Sequence, residues 1–140
     1  MPSFSAKTGG GSDIVMVRVH GVNESRMALH KYRKDVEKYA ERGIIKAAEW
    51  LHQKSLEIAP EDTSEMKNTS RVAVTGKGFS TKATVQYTVW YAIYVHENLE
   101  AEHAPPTQAK FLSVPAYRER PRMNQIIWEE INKAKIKRYL

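Results

Sequence analysis

The chain has 140 residues, 41% of them hydrophobic and 27% charged, which is the composition of an ordinary single domain with its own core. It has no cysteine, so disulfides and thiolate metal sites are excluded, and its formal net charge of +6 is a modest basic excess that suits contact with DNA or an acidic protein. Because the sequence shows neither a membrane-spanning apolar run nor a signal peptide, we expect a protein kept in the cytoplasm or in a particle assembled there.

The chain begins with a predicted arm and a strand. Residues 1–12 are small, polar and rich in glycine, which predicts a flexible N-terminal arm in front of a single domain over residues 13–140. The run of β-branched residues that follows predicts a strand that ends at Gly21.

A long amphipathic helix is predicted next, from Glu24 to Ile58, with Asn23 as its N-cap. Gly43 leaves open whether this segment is one helix or two, and Pro60 ends it. The apolar stripe recurs at steps of three and four residues, and it comprises Val36, Ala40, Ile44, Ala47, Leu51, Ser55 and Ile58.

A short helical turn and a β-hairpin are predicted after this helix. Asp62 and Glu65 have the spacing of a capping box, which predicts one turn near residues 63–68. Alternating residues then predict a hairpin that turns at the glycines 76 and 78. One face of its second strand would be buried, namely Ala83, Val85, Tyr87 and Val89.

The C-terminal third predicts a short helix starting near Ala92 and a final helix over about 115–138. The stripe of the final helix comprises Met123, Ile126, Ile127, Glu130, Ile131 and Ala134. Together the elements predict an α+β fold, in which a long amphipathic helix and a C-terminal helix pack on a small antiparallel β-sheet.

Two histidines and three glutamates lie between His96 and His103, which raises the question of a metal site. The pair His96-Glu97 begins like the zincin motif, but that motif needs a second histidine four residues later, where this chain has Glu100. His103 would be about 10.5 Å further along a regular helix, so a single ion reaches both rings only if a loop folds back. We therefore favour a latch, meaning side-chain hydrogen bonds that hold a loop on the sheet. We expect no catalytic residue, no metal and no cofactor, and a metallohydrolase remains an alternative.

Aromatic and basic clusters have two interpretations each. Trp90, Tyr91 and Tyr94 follow an apolar strand, which favours packing in the core or at a subunit interface over stacking on nucleobases. The basic residues near the C-terminus form either a solvated helix end or contacts with the phosphates of DNA or with an acidic partner; these are Lys133, Lys135, Lys137 and Arg138.

Three short motifs occur in order along the chain. The first contains Ala59, Pro60, Asp62 and Thr63, the second Tyr91, Ala92, His96 and Glu97, and the third Lys110, Phe111, Leu112 and Pro115. In this order the chain resembles the neck or tail-completion proteins of tailed bacteriophages, also described as minor capsid or head–tail joining proteins, over about residues 28–135. Ser64 and Met66 stand where that family usually has glycine and leucine, and prolines 105 and 106 occupy a region where glycine is common.

The resemblance implies a non-enzymatic virion protein at the head–tail junction, assembled in the cytoplasm of a bacterial host. The implied partners are further copies of the chain in a sixfold or twelvefold ring, portal, adaptor or head-closure proteins, tail-terminator or tail-tube proteins, and the packaged DNA, with no membrane. The resemblance does not separate a neck protein from a tail terminator. A basic nucleic-acid-binding protein is the alternative.

The same interpretation assigns structural roles to two groups of residues. The latch or subunit interface would comprise Tyr91, Tyr94, His96, Glu97, His103, Phe111 and Leu112. The turn motif would comprise Pro60, Asp62, Thr63 and Glu65.

Overall fold

The computed structural model describes residues 3–8, 15–60, 64–100 and 105–139, and confirms the α+β class. Four strands and five α-helices are described. The strands are β1 (Ser3–Thr8), β2 (Val15–His20), β3 (Arg71–Thr75) and β4 (Lys82–Gln86). The helices are α1 (Val22–Ile58), α2 (Ser64–Asn68), α3 (Ala92–Glu97), α4 (Ser113–Arg118) and α5 (Arg120–Ile131). Two 3₁₀ turns cover Gly78–Ser80 and Ile136–Arg138.

Helix α1 is the longest described element and is continuous over 37 residues. It begins directly after Gly21, whose φ of 86° turns the chain out of β2. Asn23 therefore lies inside the helix, and its prediction as the N-cap is wrong. Gly43 does not break the helix; a β-carbon there would lie 3.0 Å from the Cα of Ile127 on α5. The glycine thus permits the close approach of two helix backbones.

The strands form two separate two-stranded antiparallel sheets, β1–β2 and β3–β4. Ser3–Thr8, six of the residues predicted as an arm, instead form β1, paired from Ser3 opposite His20 to Thr8 opposite Val15. The β-branched strand β2 offers an edge of backbone N–H and C=O groups that this polar segment satisfies. The other residues of the predicted arm lie outside the described residues.

The β3–β4 hairpin packs against α1, and the predicted alternation is confirmed in its second strand but not in β3. Its turn has positive φ at Gly76 and Gly78, as expected of glycines. The face predicted to be buried, which includes Val85 and Tyr87, is half-buried, while Lys82 and Thr84 opposite are exposed. The hairpin is shorter than predicted, since β4 ends at Gln86 and the chain turns before α3 begins.

The predicted single C-terminal helix is divided into α4, α5 and the terminal 3₁₀ turn. The break falls at Glu119, whose carboxylate accepts a hydrogen bond of 3.0 Å from the Trp50 indole N–H. Pro121 then suits the first turn of α5, where its missing N–H costs nothing. The stripe of α5 packs on α1, whereas the prediction placed this helix on the sheet, and Ile126 and Ala134 are buried.

Candidate functional site

The three motifs meet at the C-terminal end of α1. Five residues form the core cluster there, and they come from α1 and the residue after it, α2, α3 and the segment before α4: Ile58, Ala59, Met66, Ala92 and Phe111. Pro60 and Pro115 are also buried. Tyr91 and Leu112 are half-buried and pack against the cluster. Residues that are far apart in the sequence therefore build one packed unit.

Phe111 is the centre of this unit and is only 1% exposed. Its ring meets the ring of Tyr87 edge to face with centroids 4.9 Å apart, and it meets the ring of His96 in the same way at 5.1 Å. The Tyr87 hydroxyl lies 2.7 Å from the Ser55 hydroxyl on α1. Burial raises the pKa of Tyr87, and the Ser55 hydrogen bond opposes that rise. Phe111 therefore joins the segment that follows β4, α1 and α3.

The hydrogen bonds of His96 fix its tautomer. The backbone N–H of Ser113 donates to Nε2 at 3.3 Å, so Nε2 must be an acceptor. The proton then resides on Nδ1, which donates to the Glu97 carboxylate at 2.8 Å. The Ser113 hydroxyl donates to the same Nε2 at 3.1 Å. The neutral imidazole thus ties α3 to the first residue of α4.

Lys110 bonds to both His96 and Glu97. Its backbone N–H donates to the carbonyl of His96 at 2.7 Å, and its ammonium group pairs with the second oxygen of Glu97. Lys110 has a φ of 56°, a conformation that is uncommon for a residue with a side chain. The hydrogen bond from Lys110, and after it the one from His96, lower the pKa of Glu97. We name His96, Glu97, Lys110 and Ser113 the latch.

Ser113, His96 and Glu97 follow the order of a serine–histidine–acid relay, beside a shallow cavity of about 270 Å³. Two contacts favour a structural role. The Ser113 N–H competes for the nitrogen that would act as the base, and Lys110 holds the carboxylate that would orient the ring. The arrangement is therefore suited to fastening two segments together.

Metal ligation finds no support within the described ranges. No group of three histidine, aspartate or glutamate side chains there could hold an ion. His103 lies outside the described residues, as do Asp62 and Thr63 of the turn motif, so the predicted roles of these three remain predictions. Glu65 is described and is exposed on α2.

The aromatic residues predicted as core or interface separate into two environments. Tyr91 packs on the core cluster, whereas Trp90 is 80% and Tyr94 67% exposed, with ring centroids 6.3 Å apart. Ile93 and Leu99, which flank Tyr94 in the sequence, are also exposed. We name Trp90, Ile93, Tyr94 and Leu99 the aromatic patch. Its exposure rules out the core for Trp90 and Tyr94 and leaves the interface role as a prediction.

The basic C-terminal residues are also divided. Lys133 donates to Glu130 at 2.6 Å, and Glu130, which is 4% exposed, pairs as well with Lys46 of α1. Lys133, and after it Lys46, lower the pKa of Glu130, and Glu130 raises the pKa of Lys46. Lys133 thus belongs to an internal ion pair, which was missed from the sequence although Glu130 falls on the apolar stripe. Lys135, Lys137 and Arg138 are exposed.

No protein-family model matches the chain, and searches of curated proteins and of solved structures return no match. Among the described helices, none combines the length and the apolar character needed to cross a bilayer.

Proposed function

We propose that this protein is a structural component of the head–tail connector of a tailed bacteriophage. It would form a homo-oligomeric ring around the DNA channel and join head-closure proteins to the tail. The observation that carries this proposal is the convergence of the three motifs on the core cluster and the latch. His96 and Glu97 make hydrogen bonds within the chain, so the motifs stabilise the fold. This structural use of the motifs supports a role in assembly.

Two exposed apolar surfaces support the formation of a ring. The aromatic patch lies beside the core cluster, near Ile58 at the C-terminal end of α1. Val22 and Leu29, which lie on one side of α1, are exposed near its N-terminal end, about 50 Å away at 1.5 Å per residue. Exposed apolar groups of this kind often mark protein–protein contacts. Two different surfaces at opposite ends favour head-to-tail contacts, which form a ring when the rotation between neighbouring subunits closes.

The β1–β2 sheet is a second feature that suits assembly. Among the described elements its two strands contact chiefly each other. An isolated two-stranded hairpin is marginally stable in water, and three or more strands are usually needed. A strand edge of a neighbouring subunit would supply the missing pairing.

A joining assay tests the proposal. Heads and tails from a phage that lacks this protein would be mixed with the purified chain, and joined particles would be counted by electron microscopy. We expect joining with the wild-type chain and reduced joining with Tyr94→Ala. The matched control is Tyr117→Ala, since Tyr117 is 78% exposed on α4, outside the aromatic patch. If the wild-type chain joins no particles, the proposal is wrong.

A basic nucleic-acid-binding protein is the second candidate, favoured by the exposed cations Lys135, Lys137 and Arg138. As a primary function it requires the isolated chain to bind DNA at physiological salt, about 0.15 M, where phosphate contacts are strongly weakened. DNA binding that vanishes at that salt concentration would remove this candidate.

A further inference from the structure

The positive charge of the chain is concentrated at one end of the fold. Residues 22–42 hold six lysines and arginines and four acidic residues, and residues 132–139 hold four lysines and arginines and no acidic residue. Their combined excess equals the net charge of +6 of the whole chain. The remainder of the protein is therefore electrically balanced, and any polyanion would be attracted to these two segments.

The fold brings the two segments together. The 3₁₀ turn Ile136–Arg138 packs against α1, and the Tyr139 hydroxyl donates a hydrogen bond to the Asp35 carboxylate. The cations of the C-terminal turn, Lys135, Lys137 and Arg138, therefore lie beside the N-terminal half of α1 rather than extending away from the domain.

Three of the four acidic residues in this part of α1 are engaged by contacts within the domain. Asp35 accepts from Tyr139, and Glu41 accepts from the backbone N–H of Gly78 at 3.2 Å. Glu37 pairs with Arg33 at 3.2 Å. The fourth, Glu24, lies in the first turn of α1. Three carboxylates are therefore held by contacts within the domain, Glu37 alone by a cation, while other cations of the helix remain exposed.

Those cations form a single stripe. Lys31, Lys34, Lys38 and Arg42 are all exposed and follow one another at steps of three, four and four residues, which places them on one side of the helix. The stripe is about 16 Å long at 1.5 Å per residue. Duplex DNA carries about ten phosphates over that length, at one charge per 1.7 Å. The Arg42 guanidinium lies 5.7 Å from the centre of the Tyr39 ring, which restricts its position.

We propose that the α1 stripe and the adjoining cations of the C-terminal turn bind the phosphate backbone of duplex DNA without regard to sequence. Long, flexible lysine side chains act as point charges toward phosphates, and contacts of this kind carry no information about the bases. That the physiological ligand is the packaged genome rests on the proposed connector function. The binding itself is a property of the isolated chain and is measured independently of head–tail joining.

The test is fluorescence anisotropy with a labelled duplex of about 30 base pairs, titrated with the full chain at several salt concentrations. The stripe variant is Lys34→Gln/Lys38→Gln. The control variant is Arg118→Gln/Arg120→Gln, which removes the same charge from two exposed arginines of α4 and α5. Both variants would first be compared with wild type by circular dichroism and thermal unfolding, so that a loss of fold is not mistaken for a loss of binding.

We expect the stripe variant to bind several-fold more weakly at low salt. Its slope of log affinity against log salt should be shallower by about 1.8, because each lost phosphate contact removes about 0.9. The control should keep the wild-type slope, and a second duplex of unrelated sequence should bind equally well. Equal losses in both variants would reduce the effect to net charge and overturn the proposal, as would a stripe variant that binds like wild type. If the DNA-binding test fails while the chain still joins heads to tails, only the DNA-binding proposal is rejected. If the chain binds DNA as expected but joins no particles, only the connector function is rejected.

Discussion

The two ends of α1 differ in almost every respect. At the C-terminal end, Ile58 and Phe111 are buried and the polar groups of the latch bond to one another. At the N-terminal end, Val22 and Leu29 are exposed and a stripe of cations faces outward. One helix therefore both anchors the fold and presents a surface. Substitutions at the first end should change stability, and substitutions at the second should change binding and assembly.

The largest loss of stability should follow Phe111→Ala. Removing this buried ring leaves a cavity between α1, α3 and the sheet, and such truncations cost about 3–5 kcal/mol. Urea unfolding would measure the loss in the free energy of unfolding. Tyr94→Ala is the matched control, because its ring is largely exposed and it should change stability by less than about 0.5 kcal/mol. Equal effects of the two substitutions would contradict the contrast between buried core and exposed patch.

A smaller loss should follow His96→Ala. The substitution leaves the Ser113 N–H without its acceptor and removes one partner of Glu97, which together should cost about 1–3 kcal/mol. His30→Ala, at an exposed position of the other end, should be nearly neutral. If His96→Ala unfolds at the wild-type urea concentration, the latch does not stabilise the fold.

Gly43→Ala should destabilise the contact between α1 and α5. Alanine favours a helix by about 1 kcal/mol over glycine, but its β-carbon would lie 3.0 Å from the Ile127 Cα. Overpacking of this kind costs about 1–3 kcal/mol, so we expect a net loss of about 1 kcal/mol. Thermal unfolding would measure it, with Glu49→Ala on the exposed side of α1 as the control. A more stable Gly43→Ala protein would show that the helices are not in tight contact.

The smallest effect should be the dependence of stability on acid. The pKa values of Glu97, Glu119 and Glu130 lie below the ordinary value of 4.5, through hydrogen bonds from Lys110, Trp50 and Lys133 respectively. Because the unfolded chain takes up these protons first, the stabilisation is complete above pH 4.5 and is lost as the pH falls through the lowered values. Glu97→Gln should flatten this decline, whereas an unchanged pH profile would contradict the role of the Glu97 ion pair.

Local patterns in the sequence predicted much of the fold. The apolar stripe of α1, the alternation around Val85 and the short helix at Ala92 each depend on neighbouring residues, and each is confirmed. The break at Glu119 was missed although Pro121, which cannot lie in the interior of a helix, marks it locally. The hydrogen bond from Trp50, which lies 69 residues away along the chain, joins this break to α1. Strand β1 was missed because serine, alanine and lysine, which make up four of its six residues, have little tendency to form a strand without β2 beside them.

The candidate site shows the same limit. The motifs identified His96, Glu97 and Phe111, but only the tertiary structure shows that Ser113 and Lys110 complete the latch. The burial of Glu130 depends on the pairing of α5 with Lys46 on α1. The exposure of Trp90 could not be predicted, because β4 ends at Gln86 and the alternation then no longer determines which side chains face the core.

The proposed assembly at a head–tail junction would cover the exposed surfaces of this domain. Its most direct test is the mass of the wild-type chain measured by light scattering, alone and mixed with the portal–adaptor complex or with tail tubes of the same phage. The proposed assembly requires a defined ring of six or twelve chains, or a stable co-complex that contains one. A chain that remains a monomer at all concentrations, and associates with neither partner, would contradict it.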